Sequence, residues 1–519
     1  MSQMLKSSGA VGLATLASRV LGMVREMVYA RFMGDGAVAG AFQVAFMIPN
    51  LFRRLLGEGA LTAAFIPIFK EKEKLSGDAE MWRAANAVLS GLIIVAAAIT
   101  GGAMLGISLA LAIGSFTDET RLMLELLRWM FPYMILVCLA AVFVGMLNAR
   151  GHFFIPALGA TLLNVVMIAS VLFLAPRIGG TLSEQVFGLA IGVLVAGAAQ
   201  AAFQLPTLWR EGFRFHWVRP WPDETVGRVV RQMLPGIVGV AAFQINVLFT
   251  QALAFWFGTA SQPIVAPFNY AVRLMELPQG IFGISLATFL LPALSGLAAE
   301  KKYPEFRALL REGLGYMAFV NLIASVLLVV LAEPIVRLLF ERGAFGPEAT
   351  ARASFALACL APGLVAFSAV NILARAFYAL GDTATPMKIS LVCLAANLVF
   401  ALALIVPLRQ GGLGLANTAS ALVNVWLLAF ALRKKLAKLE LAALRVTLLN
   451  LAGAVVVAGA LAWIIVRQWE ARLGHETLVA KLGAVFVPTA AAGVAYWAIA
   501  LMMKVEPARA MIALLHRKR

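Results

Sequence analysis

The sequence predicts an all-α polytopic membrane protein with about fourteen transmembrane helices. Three observations carry this. Mean hydropathy is +0.89, with 62% hydrophobic and only 13% charged residues. Apolar segments long enough to cross hydrocarbon follow one another along the whole chain, and basic connections alternate with cation-poor ones. A soluble globule of 519 residues needs more polar surface than this composition supplies. In lipid every backbone polar group must be bonded inside the protein, and a helix does so within one segment.

A bilayer core takes about 20 apolar residues per helix. Such segments fall at 8–34, 38–66, 84–114, 122–148, 156–176, 183–207, 229–256, 264–298, 313–333, 350–378, 387–407, 412–432, 442–466 and 478–503. The first follows Lys6 without a small-residue cleavage site, so it reads as a helix rather than a signal peptide. Every second connection is basic: Lys70, Lys72 and Lys74; Arg150; Arg210, Arg214, Arg219 and Arg228; Lys301, Lys302, Arg307 and Arg311; Lys388; Arg433, Lys434, Lys435 and Lys438. The connection at 257–263 holds no cation. Lys and Arg collect on the cytoplasmic side, so both termini are expected in the cytoplasm. The net charge of +17 therefore belongs to loops, and no nucleic-acid partner is expected. Trp209, Trp217 and Trp221, interleaved with Arg210, Arg214 and Arg219, suit a segment at the membrane interface. The tail 505–519, with Met511, Ile512, Leu514 and Leu515 beside basic residues, reads as a surface-lying amphipathic helix.

Chemistry is not expected. Cys138, Cys359 and Cys393 are isolated in apolar segments, and the four histidines have no ligand spacing, so neither a metal site nor a cofactor is indicated. No Ser/His/Asp set, P-loop or carboxylate pair stands out, and the chain does not read as an enzyme.

A weak period of roughly 225–233 residues relates the two halves. Gly151, Pro156 and Asn164 recur as Gly381, Pro386 and Asn397, and Ala64-Phe65-Ile66-Pro67 recurs as Phe289-Leu290-Leu291-Pro292. The offset spans six helices, an even number, so the halves are two parallel six-helix lobes. Transporters built this way bind substrate between the lobes near the midplane. The expected organisation is an N-terminal lobe over 1–227, a C-terminal lobe over 228–436, and an extra helix pair with a cytoplasmic tail over 437–519.

Four arginines, Arg19, Arg25, Arg53 and Arg273, sit inside apolar segments. A charged side chain at the bilayer centre costs about 3 kcal/mol on insertion scales. Four of one sign imply a wet or anion-filled cavity. Arg19 and Arg25 are about 9 Å apart along a helix and differ by roughly 120° in direction. Arg25 and Arg273 fall at similar depth, with Arg19 and Arg53 deeper. Two tiers of guanidinium suit an elongated polyanion such as a pyrophosphate, held through bidentate forks. The plainer alternative neutralises each arginine locally, with Glu26, Glu58 and Glu276 available and Glu276 one turn from Arg273. Aligning the halves puts Asn246 opposite Arg19.

Several motifs then point to one family. Ser18-Arg19-Val20-Leu21-Gly22 with Arg25-Glu26 resembles the opening of the MurJ (MviN) lipid II flippases. So do Pro49-Asn50-Leu51-Phe52-Arg53-Arg54 with Glu58-Gly59-Ala60, and Tyr270-Ala271-Val272-Arg273-Leu274-Met275-Glu276. Glu341-Arg342-Gly343-Ala344-Phe345 and Ala374-Arg375-Ala376-Phe377-Tyr378-Ala379-Leu380-Gly381-Asp382-Thr383 extend the match to at least the twelfth span. The resemblance implies a multi-pass protein of the bacterial inner membrane, in the multidrug/oligosaccharidyl-lipid/polysaccharide exporter superfamily. It implies a partner, lipid II, moved from inner to outer leaflet by alternating access. By motif position the family's cavity arginines carry over to Arg19, Arg25, Arg53 and Arg273; beside them Glu26, Asn50, Glu58, Asn246 and Glu276 are read as supporting or gating residues. Many members carry an acidic residue just before Ala41-Phe42; Gly40 stands here, so no gating carboxylate is expected at that position. Some members are thought to bind Na⁺ in the second lobe, but the seventh span offers Gln244, Asn246 and Gln251 and no carboxylate.

Three other readings compete. A flippase for another polyprenyl-linked glycan would use the same arginines. A MATE-like multidrug exporter of organic cations should line its cavity with carboxylates instead. A non-transporting membrane scaffold gives no reason to bury four cations. Apart from lipid II and membrane lipids no partner is expected, and the chain is read as a monomer.

Overall fold

The computed structural model describes residues 2–57, 60–439 and 442–510. Glu58 and the tail residues Met511, Ile512, Leu514 and Leu515 lie outside the described residues. The described chain is helical throughout. In order it runs α1 (Ser2–Met33), α2 (Ala37–Phe52), a π-helical turn Arg53–Gly57, α3 (Ala60–Ile113), α4 (Asp118–Met130), α5 (Tyr133–Ala149) and α6 (Phe154–Ala169). A second π turn, Ser170–Leu174, leads to α7 (Ala175–Ile178), α8 (Leu182–Arg210), α9 (Glu224–Phe257) and α10 (Val265–Pro278). A third, Gln279–Ile284, leads to α11 (Ser285–Ala299), α12 (Tyr303–Val330), α13 (Ala332–Phe340), α14 (Pro347–Leu360) and α15 (Gly363–Ala379). The last helices are α16 (Ala384–Lys435), α17 (Ala442–Leu473) and α18 (Leu478–Met502).

Among the described residues, seven helices are individually long and apolar enough to cross a membrane, or nine when α4–α5 and α14–α15 each count as one span. The remaining crossings come from breaks and joins. Gly77, at φ 81°, interrupts α3, and Arg409, at φ 48°, interrupts α16, so each of these helices holds parts of two spans. The π turn Arg53–Gly57 extends α2, and Gln279–Ile284 joins α10 and α11. Grouped this way the described elements follow the order of the apolar segments in the sequence.

The chain forms two compact units, Met1–Leu248 and Phe249–Arg519. In the first, Phe65, Phe69, Trp82 and Phe213 form a chain of ring contacts at 5.2–5.5 Å. They seat the segment after α8 against α3, where Asn86 Nδ2 also donates to the Arg214 carbonyl at 3.0 Å. Each such ring, once buried, contributes about 1.5–3 kcal/mol. Trp209, Trp217 and Trp221 stay exposed around this seat. In the second unit, Leu290, Leu294, Phe306, Leu310, Ile372, Phe377, Leu428 and Leu432 share a core. The extra helices α17 and α18 pack on each other and, through Leu451, Ala454, Val455 and Ala458, on Phe319 of α12.

Compared internally, the units repeat each other closely. The helix pairs α4–α5 and α14–α15 each bend by 44°, at Pro132 and Pro362. The α5–α6 turn closes with Gly151 N–H to Asn148 O (3.1 Å) and His152 N–H to Leu147 O (2.8 Å). The α15–α16 turn closes with Gly381 N–H to Tyr378 O (3.0 Å) and Asp382 N–H to Phe377 O (2.9 Å). Gly151 and Gly381 hold φ of 86° and 73°, which favour glycine at the end of a helix. Each turn is then clasped to the end of the next hairpin, with opposite polarity. In the first unit His152 Nε2 meets Glu211 Oε1 at 2.8 Å, and Arg150 donates to Glu211 Oε2 at 2.8 Å. In the second, Lys435 Nζ donates to Asp382 Oδ2 at 2.7 Å.

Two elements depart from the expected boundaries. The ninth span begins at Tyr303 rather than 313, because α12 continues beyond the apolar stretch with Glu305 in its first turn. A short amphipathic helix, α13, occupies what reads as loop after 333; its single buried cation, Arg337, is masked in a sequence window by three polar neighbours.

The clasp in the second unit is testable. Lys435 and the Thr385 backbone N–H hold the Asp382 carboxyl down from its ordinary 3.8 to about 2. A depressed carboxyl stabilises the fold above its unfolded pKa and loses that contribution as pH falls through the folded value. Asp382→Asn should therefore lower the melting temperature in detergent at pH 7. The gap to the parent should close between pH 3.8 and about 2; a gap independent of pH in this window would contradict the clasp.

Candidate functional site

In the first unit the predicted arginines are held by different means. Arg19 is exposed on α1, and Asn164 Nδ2 of α6 donates to the carbonyl of its neighbour Ser18 at 3.1 Å. Gly22, one turn on, leaves Asn164 room: a Cβ there would lie 3.8 Å from Asn164 Nδ2. α1 runs through Gly22 without a break. The Gly22–Asn164 contact thus sets how α1 presents Arg19.

Arg25 is nearly enclosed, its side chain 12% exposed. Its Nη2 donates to Glu26 Oε1 at 2.6 Å, and its Cζ lies 5.4 Å from the Tyr29 ring centroid. Its Nε is buried with no hydrogen-bond partner among the described residues. An aromatic file continues from there: Tyr29 meets Phe42 edge-on at 5.8 Å, Phe42 stacks on Phe46 at 6.1 Å, and Phe46 tilts over Tyr133 at 5.8 Å. Tyr133 is buried at the start of α5, just past the 44° bend, within electrostatic range of both Arg25 and Arg53.

Arg53 opens the π turn, where Nε donates to Asn50 Oδ1 at 2.7 Å. The π turn follows a helix that contains Pro49, and it shifts the direction of the side chains after Phe52. Arg25, Arg53 and Tyr133 therefore form one group. Arg54 is partly buried beside Arg53.

Arg273 belongs to the second unit. It is exposed on α10, and Nη1 donates to Glu276 Oε2 at 2.8 Å. The opposite face of α10 is buried through Phe268, Tyr270, Ala271, Leu274 and Met275. Asn246 is half-buried on α9. Gln251 and Asn269 exchange amide hydrogen bonds at 2.6 and 3.3 Å, an amide pair between α9 and α10.

A family model described as "Lipid II flippase MurJ" matches residues 29–483. The chain belongs to the MurJ lipid II flippase family. Among its relatives, the probable lipid II flippase MurJ of Vibrio cholerae is 35% identical over 82% of each chain. The lipid II flippase MurJ of Burkholderia cenocepacia is 34% identical over 81% of this chain and 82% of its own length. The probable lipid II flippase MurJ of Bdellovibrio bacteriovorus is 31% identical over 97% of this chain and 95% of its own. A solved structure of a lipid II flippase MurJ, in an inward closed conformation, shares the fold with a TM-score of 0.76 at 20% identity, over 95% of this chain and 98% of its own. An inward-facing MATE family transporter of the MOP superfamily superposes with a TM-score of 0.63 at 17% identity, over 82% of this chain and 96% of its own. Members of the MurJ family are transporters rather than enzymes, and this chain is a multi-pass membrane protein with their fold.

Beside the MurJ motifs the structure adds Tyr133 and the file Tyr29–Phe42–Phe46. Nothing in their spacing marks them, because aromatic residues in an apolar helix read as core. The one available signal was Pro132, which places Tyr133 at a bend.

The burial pattern sets an order of reactivity. In a background lacking Cys138, Cys359 and Cys393, cysteine replacing Arg19 should react fastest with a small polar thiol reagent, and cysteine replacing Arg25 much more slowly. Inertness at 19, 25, 53 and 273 alike would mean that these positions face lipid or packed protein.

Proposed function

We propose that this chain is a lipid II flippase that carries the polyprenyl-pyrophosphate-linked peptidoglycan precursor from the inner to the outer leaflet by alternating access. The observation that carries the reading is the Arg25–Arg53 group around Tyr133. Two guanidinium groups, Arg25 bonded to Glu26 and Arg53 bonded to Asn50, gather around one buried phenol in an apolar span. Arg25 Nε remains a free donor of fixed direction. A pyrophosphate offers oxygens that arginine forks bind bidentately, and burial strengthens that attraction. Arg19 and Arg273, exposed on their helices, supply further charge for the headgroup, with Asn50, Asn246 and Glu276 orienting the arginines. A carrier of organic cations would need the opposite sign, so the likeness to MATE transporters extends to fold alone.

In the same reading the protein works as a monomer in the bacterial inner membrane, with both termini in the cytoplasm. The basic connections, read by the positive-inside rule, support that orientation. The polyprenyl tail stays in hydrocarbon, guided by a groove along α17 and α18, whose outward faces carry Val456, Val457, Trp463, Phe486 and Val494.

Growth of cells depleted of their own lipid II flippase tests the headgroup assignment. Alanine at Arg19, Arg25, Arg53 or Arg273 should abolish rescue while the protein still inserts at normal levels. Lysine should rescue partly, because an ammonium lacks the bidentate fork. Growth with all four alanine variants would overturn the reading. For the tail, Ala460→Trp or Ala491→Trp should weaken binding of full-length substrate and spare a short-tailed analogue. Equal loss for both would point to destabilisation instead.

A further inference from the structure

The second unit contains a buried ion network that the arginine site does not use. Arg337 of α13 has a side chain only 9% exposed. It is ringed by three carboxylates: Glu333 on its own helix, Glu470 of α17 at 2.6 Å, and Glu341 at 3.7 Å. Glu341 also accepts from Thr350 Oγ1 of α14 at 2.8 Å and faces Lys481 Nζ of α18 at 3.4 Å. The ends of α17 and α18 that supply Glu470 and Lys481 are tied to each other. Trp469 Nε1 donates to the Ala480 carbonyl at 3.0 Å, and a Cβ on Gly483 would run into the Trp469 ring.

The network fixes the segment Arg337–Phe345, and that segment packs on Tyr270 of α10. Tyr270, fully buried, packs between Phe340 (5.0 Å, tilted) and Phe345 (5.4 Å, edge-on). Phe340 immediately precedes Glu341. Tyr270 lies one helical turn before Arg273, on the buried face of α10. The connections after α9, after α12 and after α17 each follow an odd-numbered crossing, so these contacts gather on one membrane face.

We propose that α17 and α18 position the arginine helix: Glu470 and Lys481 hold the Arg337–Phe345 segment, and that segment seats Tyr270 and so sets the direction of Arg273. Arg337, Glu470, Lys481 and Tyr270 are positioning residues that act through α10. The value of this placement for transport rests on Arg273 binding substrate; the placement itself does not. An arginine fork binds a pyrophosphate only within a narrow range of angles, so a small rotation of α10 costs much of the contact. Neutralising one carboxylate leaves Arg337 its other two partners, which loosens the network without stranding a buried charge.

The test reads α10 directly. In the cysteine-free background, Arg273→Cys is labelled with a polar thiol reagent, alone and combined with Glu470→Gln, Lys481→Met or Tyr270→Ala. Ser390→Cys, exposed on α16 away from the network, serves as the control. Each second substitution should change the labelling rate at position 273 several-fold and leave position 390 unchanged, and Glu470→Asp should restore the parent rate. Unchanged rates at 273 in the Glu470→Gln and Lys481→Met proteins would overturn the proposal, as would parallel changes at 390. Glu470→Gln is isosteric, so the test stands if Tyr270→Ala fails to fold. Because labelling needs no substrate, its outcome is separate from that of Arg273→Ala in the growth assay.

Discussion

A guanidinium in hydrocarbon is expensive, and the structure is organised around that expense. Insertion scales put it at about 3 kcal/mol per arginine at the membrane centre. A chain with four such residues needs either a local anion for each or a place where water and an anionic ligand can reach them. The first device is present at two of them. Arg25 and Arg273 each have a carboxylate at hydrogen-bond distance on their own helix, Glu26 and Glu276. Arg25 and Arg53 also share the neighbourhood of Tyr133, whose phenol face and dipole are polar features in an otherwise apolar setting. At Arg25 the carboxylate does not exhaust the donors, since Nε has no hydrogen-bond partner among the described residues. Five N–H groups on a guanidinium exceed what one carboxylate accepts, and the surplus is what a second anion can use.

The irregularities of the helices fall where these side chains are aimed. Arg53 sits at the start of a π turn, Arg273 a turn and a half before another, and Tyr133 one residue past a proline bend. A π turn inserts one residue into the helical register and so turns the following side chains to a new direction. Equivalent turns and bends recur in both units, which shows that they belong to the repeated architecture. The arginines do not recur in the same way. The duplicated scaffold therefore carries two chemically different faces, with three of the four cations on the first unit.

Most of the fold was legible in the sequence because lipid restricts the choices so severely. Apolar runs of about 20 residues had to be helices, and the Gly–Pro–Asn recurrence around Gly151 and Gly381 marked real turns. α13 was not legible: nine residues with two charges look like a loop until Arg337 is seen among its carboxylates. The arginines stood out from their apolar surroundings, and Asn50 and Glu276 from their short spacing to them. Tyr133 did not, since it comes within electrostatic range of the arginines only in the folded chain, just past the bend at Pro132. The network joining Glu470 and Lys481 to Glu341 spans more than a hundred residues, a separation at which spacing carries no information.

The two clasps at the turns after α5 and α15 differ in polarity, and the difference separates correct from exchanged docking of the hairpins. Two near-copies of one helical hairpin are made in succession, and each must dock in its own half before the chain is complete. If the α15–α16 turn engaged the end of α8, Asp382 would face Glu211; if the α5–α6 turn engaged the end of α16, Arg150 would face Lys435. Each wrong docking juxtaposes like charges, which costs free energy that the correct one gains. Exchange between halves is a characteristic failure of duplicated chains. Here a single reversal of sign, read at two glycine-closed turns, gives each hairpin an address.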